Sequence, residues 1–275
     1  MKRSVFSYPY IVWMVIFILS PVLLIVYYAF SSGGAFTLNN LRDAVTSATY
    51  MPVLLRSVIV ALEATALCIL LGYPVAYMLS KMKKSTASLL SVLFIVPMWM
   101  NFLLRTYAWQ VILDSSGILN SWLKAFGLEP MHLLYTEGAV MLGTVYNFLP
   151  FMILPIYTVL IKLDKSHIEA AQDLGANGAT TFFKVVLPLS MPGVISGITM
   201  VFIPAITTFA ISRLLGGGKY MLYGDLIENQ FITLGIAGWN AGSALSFILL
   251  VLVVISMIIM RRAEREAGEE GGKLW

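Results

Sequence analysis

The chain has 275 residues, 59% of them hydrophobic and only 12% charged, with a formal net charge of +4. A soluble domain carries about a quarter charged residues, so the composition excludes an ordinary soluble protein. The basic residues sit in short clusters at the ends of apolar runs rather than on one continuous face, which excludes a nucleic-acid binder.

Six apolar segments are each long enough, at about 1.5 Å per residue, to cross a bilayer core of roughly 30 Å. An all-α integral membrane protein with six transmembrane helices is therefore expected. The first segment, Pro9 to Phe30, follows Lys2 and Arg3 but is too long for the core of a secretory signal, so it is predicted to be an uncleaved helix. Residues 1–52 comprise this helix and an outer loop carrying Gly33 and Gly34; residues 53–260 form the main transmembrane unit. The second span, Ser57 to Leu79, contains Pro74, Glu63 and the single cysteine, Cys68, which can form no internal disulfide. A tight basic loop, 80–88, leads to a third span read as continuous from Leu89 to Leu113, with Pro97 marking a kink. Loop 114–138 precedes the fourth span, Ala139 to Ile161. The fifth runs from Leu189 to Ile211 and the sixth from Ala244 to Met260, with a long outer loop, 212–243, between them. The charged tail, 261–275, is expected to fray.

Lysines and arginines set the orientation. Starting inside, the inner face holds Lys81, Lys83, Lys84, Lys162, Lys165, Lys184, Arg261, Arg262, Arg265 and Lys273 besides Lys2 and Arg3. The outer face holds Arg42, Arg56, Lys124, Arg213 and Lys219. Both termini are then cytoplasmic, and so is the polar stretch 163–188.

That stretch is predicted to form two short helices with a sharp bend. Ser166 and Glu169 have the spacing of a capping box. Gly175 is placed to end the first helix in a left-handed conformation. Asn177 can cap a second helix that includes Phe182, Phe183 and Val186 and stops before Pro188. Ala170 and Ala171 are small enough for close approach of a partner, and Ile168, Leu174, Phe182 and Phe183 supply an apolar face.

Glu169-Ala170-Ala171, Gly175 and Leu187-Pro188, lying between the fourth and fifth spans, resemble the cytoplasmic coupling loop of type I ABC-importer permeases. Further motifs are similar to permeases of the spermidine/putrescine importer family. They include Gly72-Tyr73-Pro74, Ile95-Val96-Pro97, Arg105-Thr106-Tyr107, Leu149-Pro150-Phe151, Leu174-Gly175-Ala176 and Pro188-Leu189-Ser190-Met191-Pro192-Gly193. The resemblance covers most of the chain from about residue 53. It implies a type I permease fold whose loop 163–188 docks an ATP-hydrolysing subunit through Glu169, Ala170, Ala171, Asp173 and Gly175. It also implies two ATPase copies that bind ATP–Mg, a second homologous permease, an extracytoplasmic solute-binding protein and residence in a bacterial inner membrane. The chain itself is then expected to bind no cofactor.

A cation path needs carboxylates or aromatic faces. Glu63 lies inside the second span, and Asp114 closes the third. Asp225 and Glu228 lie near the outer end of the sixth. Trp99, Asn101, Tyr107, Tyr146 and Asn147 are candidates for the wall. Arg105 is expected to pair with a carboxylate or to snorkel outward. No phosphate-binding glycine loop is present, since Gly216-Gly217-Gly218-Lys219 lacks the required spacing, and His132 and His167 fall on opposite faces, so no metal site is expected. The alternatives to a small-cation importer subunit are an ABC permease for another small solute and an ion-coupled carrier. The carrier would need buried ion ligands beyond Glu63.

Overall fold

In hydrocarbon the backbone can satisfy its polar groups only within a helix or a closed barrel, and apolar runs of this length fold as helices. The computed structural model describes residues 8–273, so Lys2 and Arg3, on which part of the charge asymmetry rests, lie outside the described residues. Helices α1 (Tyr8–Met14) and α2 (Ser20–Ala29) join through a π-turn at Val15–Leu19 into one apolar rod. A hairpin of two-residue strands, β1 (Ser31–Ser32) and β2 (Ala35–Phe36), is the departure from an all-helical chain. Helix α3 (Asn39–Thr46) leads into α4 (Tyr50–Lys81), whose 32 residues extend about 48 Å, well beyond the bilayer core.

The third apolar segment is not one straight span. It is split into α5 (Lys84–Trp99) and α6 (Phe102–Leu113), the latter followed by α7 (Ile118–Ala125), with a bend of 92° at the break. The cause is local. Met100 and Asn101 take extended backbone, and Asn101 Oδ1 accepts from the amides of Leu103 (2.9 Å) and Leu104 (3.3 Å), so it starts a new helix. Pro97, the sequence's kink signal, lies inside the last turn of α5.

Helix α8 (Glu137–Leu160) runs into α9 (Lys165–Asp173) and α10 (Gly178–Thr181). A π-turn at Phe182–Val186 then passes without interruption into α11 (Leu187–Thr207). The fifth span therefore ends at Thr207, where Thr208 turns extended, four residues before the predicted Ile211. The outer stretch 212–243 is mostly helical and packed. It contains the end of α12 (Ala210–Gly216), α13 (Tyr223–Ile232) and a 3-10 turn at Gly235–Gly238, and it buries Leu215, Leu222, Tyr223 and Leu226. The last helix, α14 (Trp239–Lys273), starts before Ala244 and continues past Met260 to Lys273. As far as Lys273 the tail is thus helical instead of frayed. Its Arg262/Glu266 and Arg265/Glu269 spacings favour helix, and Ser196 of α11 donates to Glu264.

Helix α8 forms the middle of the bundle, between α4 and α11, and its Met152, Ile153 and Ile156 are fully buried. Helices α2 and α3 pack on α14, which ties the N-terminal segment to the far end of the chain. In lipid, helices associate by close packing, which small residues permit. Gly193 of α11 shows how tight this is: a Cβ there would lie 2.9 Å from Val159 Cγ2 and 3.0 Å from the Pro155 carbonyl oxygen. Gly193→Leu is expected to cost about 1–3 kcal/mol by forcing α8 and α11 apart. Thermal unfolding in detergent checks this, and an unchanged melting temperature would mean that the two helices separate there without resistance.

Candidate functional site

The inner loop begins with a different cap from the predicted one. Asp164, not Ser166, is the N-cap of α9: its Oδ1 accepts from the Ser166 amide at 3.0 Å. That bond, with a further one from the Ser166 side chain, holds the Asp164 carboxyl below its ordinary pKa. The Ser166–Glu169 capping box is therefore not formed, because Asp164 two residues earlier already supplies the acceptor. The C-terminal signal behaves as expected. Gly175 has φ of +82°, its amide donates to Gln172 O (2.9 Å), and the Ala176 amide donates to Ala171 O (3.0 Å). This pair of bonds is a Schellman closure, which needs a left-handed residue where Gly175 sits. Asn177 caps the next helix as predicted, accepting from the Thr180 amide at 2.8 Å.

The predicted apolar face divides in two. Ile168 and Phe182 turn inward onto the bundle, and Phe182 packs edge-on against Tyr73 and Tyr77. Leu174 and Phe183 turn outward, and Leu174 is 89% exposed. Ala170 and Asp173 are also exposed, with Ala171 half-buried. Glu169 lines a cavity of about 460 Å³ beneath the loop, together with Lys81, Lys84 and Lys165. The second helix does not stop before Pro188. Pro188 lies inside a rod that is helical from Gly178 to Thr207, directly after the π-turn at Phe182–Val186, the kind of irregularity that accompanies a proline within a helix.

The path candidates separate by what their side chains touch. Asn147 is 1% exposed; its Nδ2 donates to Gly143 O (2.8 Å) and its Oδ1 accepts from Arg105 Nε (2.7 Å). It is a bracket in the core, not a wall residue. Arg105 is itself buried, and its Nη1 donates to the Pro97 carbonyl at 2.8 Å. Among the described residues it pairs with no carboxylate, and it does not snorkel, because the Asn147 side-chain oxygen and the Pro97 carbonyl in the last turn of α5 already meet its fork. Asn101 is taken up as a helix cap, and Asp114 holds a turn by accepting from the Ser116 amide at 2.9 Å. Asp225 braces α13, accepting from the Ser212 hydroxyl (2.6 Å) and the Leu222 amide (2.7 Å); burial pushes its carboxyl above the ordinary value, and these bonds partly offset that. Glu228 pairs with Arg213 at 2.7 Å, and all three line an outer cavity of about 190 Å³.

The side chains left on exposed faces are Glu63, Trp99 (81% exposed), Tyr107 and Tyr146, the last edge-on to Trp109 at 5.1 Å. Glu63 is brought together with three residues that sequence reasoning did not place in a site: Arg56, Glu137 and Tyr220. The signal for Arg56 was available, since it lies seven residues before Glu63 and so shares its helical face. Glu137 and Tyr220 are remote in sequence and carried no signal.

Comparison with known proteins bears on the family and the fold. Residues 68–268 match the family described as binding-protein-dependent transport system inner membrane component. The spermidine/putrescine transport system permease protein PotB of Escherichia coli (strain K12) is 39% identical over 262 residues, 92% of this chain and 94% of that protein. PotB of Haemophilus influenzae is 40% identical over 262 residues, 92% of this chain and 91% of its own length. A chain of a bacterial alginate ABC transporter, solved with an alginate pentasaccharide-bound periplasmic protein, shares the fold with a TM-score of 0.77 at 15% identity, covering 96% of this chain and 94% of its own. Such near full-length agreement displaces the ion-coupled carrier reading. The chain belongs to the family of binding-protein-dependent inner membrane transport components and is a multi-pass permease subunit of an ABC importer.

Proposed function

We propose that this chain forms half of the translocation path of a polyamine importer, carrying spermidine or putrescine inward. The observation that carries the solute is the 39% identity to a spermidine/putrescine permease over 92% of the chain. In this reading a second, homologous permease supplies the other half, and an extracytoplasmic binding protein delivers the solute. Two copies of an ABC ATPase bind ATP–Mg and do all the hydrolysis; the permease is non-catalytic. Both termini lie in the cytoplasm.

The loop α9–α10 is the handle for the ATPase. Its outward Leu174, Phe183 and Ala170 supply an apolar contact, and its Schellman closure fixes their direction. The helix continuous from Gly178 to Thr207 is the lever. A push on α10 moves α11 as a rigid body, and α11 ends where the outer helices α12 and α13 begin. The turn 161–164 is the joint on the other side. ATP binding would draw the two handles together and open the path outward; hydrolysis resets it.

The test is uptake of labelled putrescine and spermidine by cells lacking endogenous polyamine importers, expressing this chain with its ATPase, second permease and binding protein. ATP-dependent uptake that vanishes on omission of this chain is expected. A complex that assembles and hydrolyses ATP but imports neither polyamine would overturn the solute assignment.

A further inference from the structure

We infer that the cavity between α4 and α8 is a docking station for the ammonium groups of an extended polyamine, with Arg56 as a resident cation that the solute displaces; the inference rests on the polyamine reading above. The cavity is about 350 Å³. Its outer mouth holds a cation already. The Arg56 guanidinium pairs with Glu137 and lies 4.8 Å from the centre of the Tyr220 ring. A carboxylate and a ring face around one positive group is the arrangement by which an alkylammonium is held.

That resident pair is exchangeable. The side chains of Arg56 and Glu137 are 33% and 71% exposed, and ion pairs so wet contribute little. The second carboxylate is different. Glu63 makes no ion pair among the described residues, and it lies in the middle of a membrane-spanning helix. An unpaired carboxylate at that depth does not face hydrocarbon; its face belongs to the interior of the assembled bundle or to a water-filled path. It shares a helix face with Arg56, two turns and roughly 10 Å deeper along α4. The wall between the two charged levels is apolar, formed by Ile59, Val60, Val140 and Met141.

Charge, apolar wall, charge is the pattern of the solute itself. A polyamine carries ammonium groups separated by methylene segments, so one end can replace Arg56 at Glu137 and Tyr220 while the next reaches Glu63. A single small cation would use only one level, and an anion would meet two carboxylates.

The experiment uses the full complex in proteoliposomes with saturating binding protein, reading spermidine uptake and ATP hydrolysis together. Glu63→Gln is expected to lower uptake at least about tenfold while loaded binding protein still stimulates hydrolysis, and Glu63→Asp to restore part of it. Arg56→Gln removes the competitor and is expected to raise the uptake rate by about two- to fivefold, the weight of an exposed ion pair. Wild-type uptake in Glu63→Gln would overturn the site. So would loss of the assembled complex on size exclusion, since Glu63 would then be a partner contact between permeases. A fall in uptake with Arg56→Gln would make the arginine a structural strut and overturn its displacement. If the wild-type complex imports no polyamine, the failure lies in the solute reading; if only the variants are normal, it lies here.

Discussion

Leu174→Asp is expected to detach the ATPase and reduce uptake by about a hundredfold while leaving the membrane bundle folded. The argument starts from exposure. Leu174 is 89% exposed, and it stands at the end of α9 where the chain reverses through Gly175. A large apolar side chain held that far from its own bundle stabilises nothing within the chain, so replacing it should not alter the melting temperature. Its burial against a partner contributes about 1.5–3 kcal/mol. A carboxylate in its place loses that and adds the cost of an unpaired charge in a closed interface, about a further 1–3 kcal/mol or more. Together these come to about 2.5–6 kcal/mol, roughly two to four factors of ten in affinity. Co-purification of the ATPase with the tagged permease reads the effect directly. A variant that still holds its ATPase and imports normally would place the handle elsewhere.

Gly175→Pro should fail by another route. It removes the amide that bonds Gln172 O and forbids the positive φ, so both helices lose their mutual direction. Glu169 is different again. Its carboxylate lines the lysine-bearing cavity under the loop, so Glu169→Ala is expected to act on docking through the position of α9 on the bundle.

The general plan was legible in the sequence because hydrocarbon leaves few options. Long apolar runs had to be helices, and the small-residue loop between the fourth and fifth spans carried its own turn chemistry. Gly175 and Asn177 were read correctly for that reason: each acts through backbone groups within three residues. Asp164 was missed because Ser166 and Glu169 matched a cap pattern equally well, and only the geometry shows which acceptor reaches the first free amide. The break at Asn101 was missed for a related cause. A cap inside an apolar segment is masked by the hydropathy on either side, and Pro97 drew the attention that belonged to the asparagine. The site residues were least legible. Polarity within a span marked Asn147 and Glu63 alike, yet one is tied to Arg105 and the other faces a cavity. That difference depends on contacts between helices far apart in the chain, which no local pattern encodes.

Arg105→Ala is expected to destabilise the fold by about 3–6 kcal/mol and to abolish uptake with it. Arg105 is 7% exposed and joins three elements: it stands on α6, bonds the last turn of α5 through Pro97 O, and bonds α8 through Asn147. Its guanidinium also lies 5.9 Å from the centre of the Tyr146 ring. A hydrogen bond to a charged donor contributes about 1.5–3 kcal/mol; removal takes two of them and leaves the buried Asn147 oxygen without its donor, while the part-buried Pro97 carbonyl keeps the Met100 amide. The bend of 92° is what that fork spans, so its loss should free α5 to swing against α6. Arg105→Lys separates charge from geometry. An ammonium keeps the positive charge but cannot present Nε and Nη1 in a fixed fork, so it should satisfy one acceptor and recover about half the loss. Melting curves of the three proteins in one detergent order them as wild type, lysine, alanine. If lysine matched wild type, charge alone would hold the bend; if alanine did, the bend would be set by Pro97 and the Asn101 cap without help from α8.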